Sequence, residues 1–493
     1  MNKRKLLSLA VALTFSASAV SMSLFSMQAA AANKSLSFNK QWTYKHITSG
    51  QVSEISAFDQ KTNTVWVAGV VGVDVLNAEN GHLIKHIDLT AYGFINSVAI
   101  HNGIAAFALE APVDRRVPGS VVFFDTKTLQ LAEGTHQVIV GALPDMLKFT
   151  QDGSKLLVAN EATPNAKADT PYTTPDPEGT VSVIDMATRT VIANAGFAGV
   201  AITGENVRNN IGIDFEPEYI AVNDDATKAF VTLQEANAIG VLDLATNQFT
   251  EVIGLGLKDF NLSDNQMGNS NFIDPSDEDP KAAPVISLRA NLVKGLYQPD
   301  SVVAYSVRGK TYLVMANEGD TREDETDKKR VKDVASLASG ATSDLSRLNI
   351  STTDSTPDNI VTFGGRSFSI RDEAGKIVYD SGNLLDAQAI ARNIYDDKRS
   401  DDKGVEPEGV ALLDIGGRTY AFVGLERTKK AAVAVFDITN PTQVSFIDML
   451  VTEGDISPEG LNAYQYKGNF YLTIANEVSN TTTQYVIDKV KLK

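Results

Sequence analysis

The feature that most limits what this chain can become is a two-part motif that keeps returning. A Pro followed by an acid opens an aliphatic run at Leu143-Pro144-Asp145, Glu216-Pro217-Glu218, Gln298-Pro299-Asp300, Glu406-Pro407-Glu408 and Ser457-Pro458-Glu459. Seventeen to nineteen residues after each Pro, a second apolar run ends in Glu, at Glu161, Glu235, Glu318, Glu426 and Glu477. A sixth copy without the Pro covers 96–110, and a seventh, degenerate copy covers 54–68. Most copies continue into a third run and a small polar turn, as at 181–188 and 239–246. Short runs rich in Val, Ile and Phe, bounded by Asp, Asn, Gly and Thr, are strands and tight turns. No long stretch keeps a 3.6-residue apolar period, so helix is minor.

Seven copies of about four strands predict an all-β chain, a seven-bladed β-propeller with polar loop insertions. Blades of ~40–45 residues need about 300 in total, and the chain has 493. The Glu-to-Glu steps of 51, 74, 83, 108 and 51 residues from Glu110 to Glu477 place the surplus near 163–178, 261–290 and 319–399. Residues 368–379 read as a hairpin inside the last of these, a small subdomain. Residues 1–32 read as a secretory signal: Lys3-Arg4-Lys5, an apolar stretch over 6–20, then four alanines at 29–32. The propeller then occupies 33–493, with no later stretch long enough to span a membrane. The expected location is periplasmic or secreted.

Composition narrows the chemistry. The absence of Cys removes thiolate metal sites and Cys nucleophiles, and all five His precede residue 137. A formal charge of −17 repels phosphate backbones, so a nucleic-acid partner is not expected. Carboxylates remain. In a propeller the innermost strand of each blade lines a central channel. If the Pro-acid motif opens that strand, Asp145, Glu218, Asp300, Glu408 and Glu459 share one rim. An antiparallel second strand returns Glu161, Glu235, Glu318, Glu426 and Glu477 to the same rim. Two rings of acid repel one another unless a cation offsets them, and Ca²⁺ takes six to eight such oxygens. The same recurrence would also arise from blade architecture alone, and at this point both readings stand.

The blocks Asn317-Glu318-Gly319-Asp320-Thr321-Arg322 and Lys403-Gly404-Val405-Glu406-Pro407-Glu408-Gly409, with Ser53-Glu54-Ile55 and Ser457-Pro458-Glu459-Gly460, resemble the bacterial choice-of-anchor I family. The resemblance implies an exported β-propeller. Some members carry the label alkaline phosphatase, and the architecture is similar to calcium-dependent phytase propellers, which implies a metal-assisted phosphoester hydrolase. The expected ligands of Ca²⁺ are Glu216, Glu218, Glu318, Asp320, Glu406, Glu408, Glu459 and Glu477. Arg322 is the expected contact to a small phosphorylated substrate. The alternative is a non-enzymatic ligand- or protein-binding propeller with a structural metal. The chain stops at Lys493, directly after the last repeat, so a free monomer without an anchor module is expected.

Overall fold

Strand propensity and the polar turns between runs give mainly antiparallel sheets in the computed structural model, which describes residues 36–164, 176–278, 285–322, 326–338 and 343–490; Ala201–Glu205 on Gln248–Leu255 and Val293–Leu296 on Ile360–Thr362 are parallel. The leader expected at 1–32 and most of the 163–178 insertion lie outside the described residues. Among the described residues, seven sheets have four or five strands. Their first strands are Ser56–Asp59, Phe94–His101, Pro144–Phe149, Pro217–Val222, Val302–Val307, Pro407–Asp414 and Pro458–Tyr466. Each first strand touches the first strand of the next sheet, and Pro458–Tyr466 touches Ser56–Asp59. Sheets arrayed by their innermost strands in this way form a β-propeller.

The seventh sheet joins the two ends of the chain. Its outer strand is Leu36–Lys45, paired antiparallel with Thr481–Lys489 from Leu36↔Lys489 to Lys45↔Thr481. Between every two consecutive sheets lies an apolar layer. Trp66 meets Phe107 between the first and second sheets, and Phe123 meets Leu156 between the second and third. Phe249 and Phe368 fill later seams, and Trp42 closes the last against Val65 and Val67. A sheet with one buried face would be unstable alone; each here covers its neighbour. Trp66 and Phe107 are fully buried, and each such aromatic contributes several kcal/mol, since truncating one to Ala typically costs about 3–5 kcal/mol.

The hairpin expected as a subdomain belongs instead to the fifth sheet. Ser367–Asp372 pairs with Lys310–Asn317, and Ile377–Asp380 pairs with Ser367–Asp372. The reason is register: alternating apolar residues Phe368 and Ile370 continue the buried face that Val314 and Ala316 begin. A side structure does exist, built from two chain segments. Leu257–Asp259, Val293–Leu296 and Ile360–Thr362 form a three-stranded sheet, and Lys328–Arg330 pairs with Asn349–Ser351. Phe260, Ile273, Val331, Leu345 and Ile350 give it a core of its own. Among the described residues no helix is long and apolar enough to cross a membrane.

Candidate metal centre

The Pro-acid motif acts through the backbone. In four sheets the pairing of first and second strands slips where the acid stands: between Pro144 and Met146, Pro217 and Ile220, Pro407 and Val410, and Pro458 and Leu461. A bulge re-aims the extra residue and ends regular pairing, so the acid leaves the pleat. The copy without Pro has the same slip around Asn96. The residue before Pro is held at positive φ in four copies: Leu143 at 43°, Gln298 at 43°, Glu406 at 49° and Ser457 at 60°. That conformation is strained for a side chain other than Gly. It is fixed by a contact to the second strand, whose Glu161, Glu426 and Glu477 amides donate to the carbonyls of Leu143, Glu406 and Ser457 at 2.8–2.9 Å.

The second motif divides its labour between neighbours. Asn160 and Asn317 are fully buried and donate to hydroxyls of the third strand, Asn160 to Ser182 and Asn317 to Ser367 and Ser369. Asn476 donates to the Thr481 carbonyl. These amides hold the sheet together. The Glu that closes the motif lines the channel mouth at three positions: Glu318, Glu426 and Glu477.

The result is a cavity of about 440 Å³ at one mouth of the channel. First-strand acids Glu54, Asp145, Asp300, Glu408 and Glu459 line it, second-strand ends Glu318, Glu426 and Glu477 join them, and Asp320 completes the wall. Lys403 and Arg427 are the cations on this wall. A second cavity, of about 510 Å³, lies beyond Tyr219, with Lys148, Asn223 and Asn462 on its wall and Asp224 as its one acid. Although larger, it lacks the carboxylate set of the first mouth.

Burial, and then repulsion between carboxylates, pushes the protonation of most acids of the first mouth upward. Burial first, then Glu477, Asp145 and Glu110, push Glu54 up to about 8. Burial and Glu318 push Glu426 up to about 8 despite Arg427, and burial pushes Glu318 up to about 7 despite Lys403. Burial also lifts Asp145 to about 6. Glu408, Glu459 and Asp300 are raised well above the ordinary range, by burial and then by neighbouring carboxylates.

Two trios have oxygens within 4.8 Å of one another: Glu318, Glu408 and Glu426, and Glu426, Glu459 and Glu477. Two ligands on opposite sides of a Ca²⁺ at ~2.4 Å each stand about 4.8 Å apart, so both trios fit that ion. Glu408 is 9% exposed, and its Oε2 has no hydrogen-bond partner. A buried acceptor left unsatisfied costs about 1–3 kcal/mol, which a bound cation would recover. Oxygen-only donors suit Ca²⁺ over zinc.

Of the residues expected to bind metal, Glu318, Asp320, Glu408, Glu459 and Glu477 come together on this wall. Glu216 and Glu218 stand off it. Glu216 accepts from Thr163 Oγ1 at 3.2 Å and lies against Glu235 and Glu161, and Glu218 faces Glu235 and Asp300. Glu406 is also off the wall. It is 1% exposed and paired with Arg399 at 2.7 Å and Lys403 at 3.1 Å, because positive φ turns it away from the rim that Glu408 faces. Arg322 does not reach the cavity: its Nε and Nη2 donate to Asp214 Oδ1 at 2.9 and 2.6 Å. Its neighbours Glu323 and Asp324 lie outside the described residues.

Six charged wall residues were not in the expected ligand or substrate set: Asp145, Asp300 and Glu426, which belong to the two expected rings of acid, and Glu54, Lys403 and Arg427, which do not. Glu54 carried a signal. Its amide donates to the Ala68 carbonyl at 3.2 Å as Asp300 donates to Ala316 at 3.1 Å, so Ser53-Glu54-Ile55 is a Pro-less copy of the first motif. Lys403 and Arg427 lie in segments outside the repeat, and no spacing marks them.

A family model, the choice-of-anchor I domain, matches residues 54–441. The chain belongs to the choice-of-anchor I family. Membership implies an exported or cell-surface protein. This choice-of-anchor I chain is 32% identical over 114 residues to Gigasin-3a of Magallana gigas, a match covering 19% of this chain and 40% of that one. It therefore spans less than half the length of that relative. Among solved structures it is similar to Kuenenia stuttgartiensis hydrazine synthase, with TM-score 0.51 and 13% identity over 91% of this chain and 98% of that chain. At that identity the likeness concerns the fold alone. The Cps50 (Swd1) β-propeller domain of Myceliophteria thermophila matches at TM-score 0.46 and 8% identity, over 92% and 100% of the two chains.

Proposed function

We propose that this choice-of-anchor I chain is an exported, monomeric seven-bladed propeller over 33–493 whose channel mouth binds Ca²⁺ and uses it to hydrolyse a small phosphoester. The observation that carries the reading is Glu408. Its Oε2 is buried without a donor, and the residue belongs to a trio of carboxylates spaced for one cation. Export is supported by the leader-like residues 1–32 and by the family.

Glu318 is oriented by two donors, Gln234 Nε2 and Lys403 Nζ, each at 2.8 Å, so an arriving ion would meet a positioned carboxylate and share it with the ammonium. Glu408 and Glu426 supply the remaining oxygens of that trio. A bound divalent cation would act as a Lewis acid on a phosphoryl oxygen and lower the pKa of a coordinated water. Arg427 is the guanidinium on the wall and takes the anion-contact role expected of Arg322. Without the ion, the wall of acids repels phosphate; charge complementarity toward an anion depends on loading.

The test is calcium binding by equilibrium dialysis alongside p-nitrophenyl phosphate turnover in EGTA and after calcium is restored. Turnover that disappears in EGTA and returns with calcium supports the reading. Calcium binding with no turnover of any phosphoester tried favours the non-enzymatic propeller with a structural metal. Undiminished turnover in excess EGTA removes the metal role.

A further inference from the structure

The two carboxylate trios are not separate. Both contain Glu426, with Glu318 and Glu408 on one side and Glu459 and Glu477 on the other. We infer that the mouth holds a pair of divalent cations bridged by the Glu426 carboxylate. This deepens the proposed function and rests on it.

Chain position makes Glu426 the hinge of the pair. It ends the second strand of the sixth sheet, Thr419–Leu425, while Glu477 ends the second strand of the seventh, Asn469–Asn476. Glu408 and Glu459 open the first strands of those same two sheets. The second trio is thus drawn wholly from the sixth and seventh sheets, and the first reaches back through Glu318 to the fifth. Glu426 is 5% exposed, and its Oε1 is ion-paired with Arg427 Nη2 at 2.8 Å.

The two subsites differ in what already occupies them. Glu318 is engaged by Lys403 and Gln234, and Glu408 Oε2 is buried with no partner. A cation here must share Glu318 with an ammonium. Glu459 and Glu477 are more open to water, so a cation beside them keeps more of its hydration. Electrostatics favours filling both. The cavity wall carries nine carboxylates against two cations, a formal −7 when all are ionised, and one divalent ion leaves most of that repulsion in place. Two ions sharing a carboxylate present adjacent open positions, which suits a tetrahedral oxyanion spanning both. The ligand class is therefore a phosphate or phosphate monoester bound through two of its oxygens.

Calcium titration calorimetry on the chelator-stripped protein tests this, with circular dichroism confirming that each variant is folded. The wild type is expected to take up two ions. Glu408→Gln should leave one, and the Glu459→Gln/Glu477→Gln double variant should leave one. Glu426→Gln should weaken both events at least tenfold. If Glu426→Gln does not fold, the Glu408 and Glu459/Glu477 variants decide by each removing a different ion. Uptake of a single ion, lost in both of those variants, overturns the pair while leaving the one-ion reading intact. No uptake by the wild type overturns both.

Discussion

Lys403 Nζ lies 2.8 Å from Glu318 Oε1, with the Glu406 carboxylate 3.1 Å from the same nitrogen. One ammonium therefore serves an acid of the cavity wall and an acid behind it. Its pKa is driven upward by Glu318, Glu406 and Asp320 against the opposing effect of burial, so it stays charged. This residue links the stability of the fold to the state of the mouth.

Replacing it separates the two roles. Lys403→Met should cost roughly 3 kcal/mol in urea unfolding of the chelated protein, since breaking a buried pair strands a charge. The same change should tighten calcium binding, because Glu318 loses its competing cation. Unchanged affinity in calorimetry would show that the ammonium does not compete.

Glu406→Gln should destabilise by a similar amount through its lost pairs with Arg399 and Lys403. The number of calcium ions bound should not change. A lower stoichiometry would return Glu406 to the ligand set.

The pH dependence of stability has a definite sign. Glu54 and Glu426 titrate near 8 and Glu318 near 7 when folded, against an ordinary value of 4.5. The folded chain keeps protons that the unfolded chain releases, so their contribution is full below about pH 4.5 and is lost as pH rises through 7 to 8. In EGTA the melting temperature should fall between pH 5 and pH 8. Calcium should flatten that slope by stabilising the ionised acids, and differential scanning calorimetry at four or five pH values reads it directly.

Arg322→Met should lower stability by about 1–3 kcal/mol, because Asp214, 1% exposed, loses both guanidinium hydrogen bonds. Calcium affinity and any phosphoester KM should stay within twofold. A large rise in KM would place Arg322 at the substrate after all.

Asn317→Ala should cost about 1–3 kcal/mol by removing hydrogen bonds to Ser367 and Ser369 inside the fifth sheet. Calcium uptake should persist. Its neighbour Glu318 would respond in the opposite manner, with binding as the affected quantity.

Much of the site was legible because repetition is visible in a one-dimensional string. Five Pro-acid pairs and five terminal Glu name the strands that carry the acids, and Glu318, Glu408, Glu459 and Glu477 do meet at one mouth. Glu406 and Arg322 stand off this wall for a local reason. Both stand beside true wall residues, and only a φ of 49° in one case and a partner 108 residues away in the other turn them elsewhere.

Strand pattern, turn chemistry and the repeat were decided by the sequence itself, since each depends on residues a few positions apart. Which acids stand within reach of one another was decided only in three dimensions. Glu318, Glu408 and Glu426 come from two sheets, and their spacing is set by how far one sheet is rotated against the next. That rotation is a property of the apolar seams between sheets, where side chains distant in the chain must fill space together, and no single repeat contains the information to fix it.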